Sequence, residues 1–163
     1  MARKKTASPT AEPPPKAAPA TDDEIRATFV ERADMAASEY ETAKGRLIKS
    51  IETDVAEAVT WTADRAITAQ TFAKKWATAV GILNYKERPI GDGFESVVGW
   101  TEGTLDTVLQ SRSWEPSGAS SLANAVKLCV FAADTQALMD IRMWAKIALM
   151  RIEGREQEEH RQP

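Results

Sequence analysis

Residues 21–58 read TDDEIRATFVERADMAASEYETAKGRLIKSIETDVAEA, and this stretch decides the fold class. Its apolar and small residues recur every three or four positions, as they do along one stripe of an α-helix. The stripe consists of Ile25, Phe29, Ala33, Ala36, Tyr40, Ala43, Leu47, Ile51, Val55 and Ala58. Thr21 and Glu24 have the spacing of a capping box, so we expect the helix to begin there. No proline interrupts the stretch, which predicts one helix of about ten turns.

A second helical pattern follows in residues 60–88, with its own apolar stripe. Thr60 or Thr62 is where we expect a break between the first and second helices, although a continuous helix also fits the pattern. Pro89 ends the second segment, because proline does not continue a helix, and RPIGDG after Glu87 is the clearest turn signal in the chain.

A third helix is predicted to begin at Asp92, which forms a second capping-box pattern with Glu95. Gly99 and Gly103 are four residues apart and therefore lie on one face of this helix. Two missing side chains on one face predict that another backbone approaches closely. The loop SWEPSGASS separates this helix from a long last helix, whose cap is expected at serine 120 or 121.

The sequence thus predicts an all-α protein, a bundle of about four helices in which the first and last are long. Residues 1–20 are a basic, Pro/Ala-rich arm with few bulky apolar side chains, a composition that predicts disorder. Residues 21–155 form the helical domain, and residues 156–163 a charged, frayed tail. The arm has four basic residues and one acidic residue, a charge of +3. Because the net charge of the whole chain is −3, the remaining residues carry −6.

The last helix contains LMDIRMWAKIALMRI, residues 138–152, which is apolar on two sides. On a helical wheel of about 100° per residue, one flank holds Ile141, Ala145, Ala148 and Ile152. The other flank holds Met139, Met143, Ile147 and Met150. Asp140 and Arg151 form one line of charge between the flanks, with Trp144 beside it, and Arg142 and Lys146 form the other.

Two apolar flanks are more than a helix at the edge of a monomeric bundle needs. The helix is therefore central in the core, or packs against its own domain and a partner, or lies on a membrane surface. Methionine side chains adapt to varied partners, which favours a contact surface. The predicted interface comprises Met139, Met143, Trp144, Ile147, Met150 and Trp114, the last in a loop. This favours a non-enzymatic interaction protein, whose partner is itself or another helical protein.

Nucleic-acid binding is the alternative function. Arg3, Lys4 and Lys5 of the arm, with Lys74 and Lys75, are the residues available to contact phosphates. A helix-turn-helix around Gly81 fits poorly, because Pro89 cuts the recognition helix short.

Catalytic and metal-binding motifs are not found. His160, the only histidine, lies in the tail, and Cys129, the only cysteine, lies in an apolar segment, so no tetrahedral Cys/His site can form in one chain. We predict no catalytic residue, metal or cofactor; an enzyme built on carboxylates is the third and least favoured class. MARKK is followed by prolines and not by a signal-peptide core, and no segment is apolar enough to span a membrane. With one cysteine, a cytoplasmic location is expected.

Overall fold

The computed structural model describes residues 20–53, 55–85, 88–111 and 121–161. These residues form no strand and four α-helices: α1 (Asp22–Glu52), α2 (Ala56–Leu83), α3 (Ile90–Gln110) and α4 (Ser121–Glu159). The predicted all-α fold of four helices is confirmed, and α1 and α4 are the longest, at 31 and 39 residues. The arm up to residue 19 lies outside the described residues. Helix α4 continues to Glu159, into the segment predicted as a tail.

Helix α1 begins at the predicted capping box. The Thr21 side chain accepts a hydrogen bond from the Glu24 N–H (3.2 Å), and the Glu24 carboxylate accepts one from the Thr21 N–H (2.7 Å). Asp22 and Asp23 add negative charge to the first turn, where the helix dipole is positive. These contacts fix the start of the domain where the composition of the chain changes.

Helix α1 ends at Glu52 and α2 begins at Ala56, so a single ten-turn helix, and a break at Thr60 or Thr62, are both wrong. The Thr53 hydroxyl donates to the Ser50 carbonyl (3.0 Å), which closes the last turn of α1. Ser50 and Thr62 then meet in a buried hydroxyl–hydroxyl hydrogen bond of 2.7 Å across the hairpin. Ile51 and Val55, the last large members of the predicted stripe, are 58% and 52% exposed. Because the chain turns back after α1, α2 packs against the apolar stripe of α1. A single straight helix would leave this stripe exposed to water.

Helix α3 begins at Ile90, two residues before the predicted cap. Pro89 is the N-cap residue, and its carbonyl accepts the Gly93 N–H at 3.2 Å. Asp92 therefore lies inside the first turn, where its charge complements the dipole, and the predicted capping box of Asp92 and Glu95 is wrong. Proline readily precedes a helix, because it has no N–H that needs an intrahelical partner.

The close approach expected at Gly99 and Gly103 is also wrong. A Cβ atom added to either glycine would meet nothing within 4 Å. The close contact lies one turn and more upstream, at Gly93, where a Cβ atom would lie 2.9 Å from Leu83 Cδ1 and 3.3 Å from the Leu83 carbonyl oxygen. Glycine is needed at the point where α3 begins against the end of α2.

The helices follow each other up and down. Across α1 and α2, contacts join Tyr40 to Gln70 and Arg26 to Asn84, so these helices are antiparallel. Helices α2 and α4 are parallel, as alternate helices of such a bundle must be, with contacts from Thr68 to Cys129 and from Lys75 to Asp134. Helices α1 and α4 are antiparallel, with contacts from Asp22 to Arg155 and from Arg32 to Trp144.

The main core lies where all four helices run side by side. Phe29 of α1 contacts Trp76 of α2 and Phe94 of α3, with ring centroids 4.9 Å and 5.1 Å apart. Helix α4 closes the core with Ile141 and Ala145, both fully buried. At 1.5 Å per residue α4 is about 58 Å long and α3 about 32 Å, so α3 accompanies only part of α4.

Candidate functional site

The two predicted flanks of α4 have different surroundings. Ile141, Ala145, Ala148 and Ile152 are 0%, 0%, 6% and 5% exposed and belong to the core. Met139, Met143 and Met150 of the other flank are 56%, 49% and 61% exposed. Helix α4 therefore buries one apolar flank in its own domain and presents the other to the surroundings.

The exposed methionines are part of a longer row. We call it the methionine face: Ala132, Gln136, Met139, Met143, Lys146 and Met150, all exposed. These positions are separated by steps of 4, 3, 4, 3 and 4 residues, so they share one side of the helix. The row is about 27 Å long, and with a helix width of about 10–12 Å its projected area is about 300 Å². Sequence inspection missed Ala132 and Gln136, although the same spacing continues upstream of Met139.

Trp144 and Ile147 lie on the side of α4 that packs against α1, at the edge of the methionine face. The Arg32 guanidinium lies 4.0 Å above the centre of the Trp144 ring, a cation–π contact that holds the indole against α1. Ile147 lines a small cavity that also includes Ile25 and Phe29. These two predicted interface residues are thus partly used within the chain. Trp114 lies outside the described residues.

The opposite edge of the methionine face is basic. Glu102 of α3 accepts from both Arg142 (3.0 Å) and Lys146 (3.4 Å). One carboxylate shared by two cations leaves a net charge of +1 at this edge. All three side chains are 40–47% exposed, so the pairs are solvent-screened and orient the side chains more than they stabilise the fold.

The first half of α4 has further exposed apolar side chains. Leu122, Val126, Leu128 and Val130 are 71%, 40%, 56% and 37% exposed. They precede the methionine face on the same helix, beyond the section that α3 accompanies. The exposed apolar surface of α4 therefore extends over most of its length.

A groove of about 590 Å³ opens between the second half of α1 and the first half of α2. Trp61, Ala69 and Phe72 provide apolar lining, and Glu39 and Arg46 are among its charged residues. Trp61 is 54% exposed, and the Arg65 guanidinium lies 4.6 Å from its ring centre. The lining is mostly exposed and of both charges, so the groove is open and does not select one sign of ligand. Sequence inspection did not find it, because it depends on how the helices diverge.

Cys129 lies near this groove and is a poor nucleophile. Partial burial is the larger cause that raises the pKa of the Cys129 thiol above its ordinary value, and the neighbouring Asp64 carboxylate is the second. The thiol is therefore protonated at neutral pH. Its sulfur lies 3.7 Å from the Thr68 hydroxyl and 3.8 Å from the Asp64 carbonyl oxygen. Within the described ranges, no three His, Cys, Asp or Glu side chains are grouped so that they could hold a metal ion.

The residues proposed for nucleic-acid binding do not form one described surface. Lys74 is exposed, whereas Lys75 pairs with Asp134 at 3.2 Å, both side chains being only about one-quarter exposed. Arg88, a further basic residue, donates to Ser96 and to the Ile82 carbonyl, which joins the end of α2 to α3. Arg3, Lys4 and Lys5 lie outside the described residues.

No protein-family model, curated protein or solved structure matches this chain. Among the helices described, none is long and apolar enough to cross a membrane.

Proposed function

We propose that this protein works by self-association, and that the methionine face of α4 is the contact surface. The observation that carries the proposal is the exposure of Met139, Met143 and Met150 in one row, on a helix whose opposite flank is fully packed. Three large apolar side chains at 49–61% exposure on one side of the helix expose more apolar surface together than one isolated surface residue does. Burying such a row against a second helix removes this surface from water.

A second copy of the chain can cover the methionine face without any different, complementary surface. In a two-fold contact the same face is used on both sides, so one apolar row supplies both halves of the interface. The projected area of about 300 Å² is small against the ~800 Å² per partner of a standard interface. Contacts at the edges of the face, including Trp144 and Glu102, must therefore contribute, and we expect association in the micromolar range.

The test is the molar mass of the purified chain by light scattering after size exclusion, at eluted concentrations well above the expected micromolar dissociation constant. We expect a dimer for the wild type and a monomer for Met143→Glu, because a charged carboxylate at the centre of the face must lose its water when a second copy covers it. Ile48→Glu is the matched control: Ile48 is 50% exposed on α1, whereas Met143 is 49% exposed. It should leave the dimer intact.

A monomeric wild type, or equal dissociation by both substitutions, contradicts the proposal. If a second protein from the native host binds the wild type stoichiometrically and does not bind Met143→Glu, the face binds that protein and self-association is contradicted. Neither nucleic-acid binding nor carboxylate catalysis gains support from an assembled group of residues in the described part of the chain.

A further inference from the structure

The methionine face has the residue pattern of a helix-pairing seam. Its steps of 4, 3, 4, 3 and 4 are those of alternating a and d positions in a coiled coil. The seam is not uniform: Ala132 is small, Gln136 and Lys146 are polar, and the three methionines are large. Each orientation and register of two such rows therefore brings different side chains opposite each other, and the size and charge of these pairs distinguish the arrangements.

A parallel, in-register pair opposes each residue to its own copy. Lys146 then faces Lys146 of the second copy, in the middle of an otherwise apolar seam. Glu102 does not neutralise them, because it is shared with Arg142 within each chain. Ala132 would face Ala132 and leave a gap beside the methionine layers. The parallel arrangement therefore combines like charges with uneven packing.

An antiparallel pair with Met139 opposite Met143 of the second copy separates the two Lys146 residues and evens out the packing. Two Met139–Met143 layers form its centre. Met150 then lies opposite Ala132, so large meets small, and Lys146 lies opposite Gln136, whose amide oxygen accepts a hydrogen bond from the ammonium group. The two Lys146 residues are ten positions apart along the helix axis, about 15 Å.

The neighbouring antiparallel register is less favourable. With Met139 opposite Met150, Met143 lies opposite Lys146 of the second copy. The two Lys146 residues are then only three positions apart, about 5 Å along the axis. The like charges avoided in the first register return. The opposite shift places Met139 opposite Gln136 and gives up the methionine layers, so charge and packing together favour one antiparallel register.

We propose that two copies pair through α4 in antiparallel orientation, with Met139 opposite Met143 of the second copy; this rests on the self-association proposed above. The two-fold axis of this pair crosses between the two α4 helices at the height of Ile141. Asp140 lies beside this axis at the edge of the seam, next to Asp140 of the second copy. Removing this like-charge contact in Asp140→Asn should lower the dissociation constant several-fold.

Cysteine cross-linking tests the register. In a Cys129→Ala background, Met139→Cys and Met143→Cys are prepared with different tags, mixed, and equilibrated with oxidised and reduced glutathione. A disulfide needs Cα atoms about 4.4–6.8 Å apart, which residues facing each other across a seam satisfy. Two copies of residue 139 are offset by about 6 Å along the axis in addition to the separation of the helices, which is out of reach.

We expect the mixed disulfide as the main product, well above the half expected from random pairing, and little cross-linking of either variant alone. Efficient cross-linking of each variant with itself, without excess of the mixed product, overturns the antiparallel register. Light scattering before oxidation separates this result from failure of the proposed function. If the wild type and the Cys129→Ala chain are both monomeric, self-association itself is refuted. A dimer with the wrong cross-links refutes only the orientation.

Discussion

The substitution Gly93→Ala tests how tightly the start of α3 is packed against α2. The added methyl group lies 2.9 Å from Leu83 Cδ1 and 3.3 Å from the Leu83 carbonyl oxygen. Leu83 is 2% exposed, so its side chain cannot turn out into solvent, and its carbonyl oxygen is fixed by the backbone of α2. Inserting a methyl group into a packed core costs about 1–3 kcal/mol.

The helix propensity of alanine opposes this cost. Replacing glycine by alanine inside a helix stabilises it by about 1 kcal/mol, and less at the first turn, where Gly93 lies. We therefore expect Gly93→Ala to lower the free energy of unfolding by about 1 kcal/mol. Gly99 is the matched control on the same helix: no atom lies within 4 Å of its added Cβ, so Gly99→Ala should raise the free energy by about 0.5–1 kcal/mol.

Urea unfolding followed by circular dichroism measures both values, at one protein concentration because self-association would contribute to stability. The sign of the difference between the two variants is the result that matters. Should Gly93→Ala stabilise the protein as much as Gly99→Ala, the contact with Leu83 does not constrain α3, and the account of this junction is wrong.

Three further predictions concern the hairpin, the α2–α4 contact and the thiol. Thr62→Val removes the hydroxyl that joins Ser50 across the hairpin, while Ser50 keeps its bond to the Leu47 carbonyl, and should cost about 1 kcal/mol in urea unfolding; a change near zero would show that the Ser50–Thr62 bond does not stabilise the hairpin. Lys75→Ala and Asp134→Ala should show a coupling energy of about 1 kcal/mol in a double-mutant cycle, and additive effects would contradict a direct pair. Because its pKa is raised, Cys129 should react slowly with a maleimide at pH 7 and faster as the pH rises, measured against the urea-unfolded chain, whereas equal rates in the folded and unfolded chain would contradict partial burial.

Much of the candidate site was predictable, because periodicity assigns residues to helix faces before any contact is known. The spacing of Ile141 and Ala145 placed them on one flank and that of Met139 and Met143 on the other, and the buried and exposed flanks follow this division. Periodicity does not say what covers a face. Trp144 belongs to the same segment, but its contact with Arg32 depends on the approach of α1.

The sequence by itself determined the helical fold class, the number of helices, the capped start of α1 and the two-sided character of α4, because these depend on local spacing and capping. Only the tertiary structure decided that the first stripe breaks after Glu52, that α3 meets Leu83 at Gly93, and which flank of α4 is buried. The reason is physical: a turn or a covered face is stabilised by burial against distant segments, and its free energy is shared between residues that the local pattern does not connect.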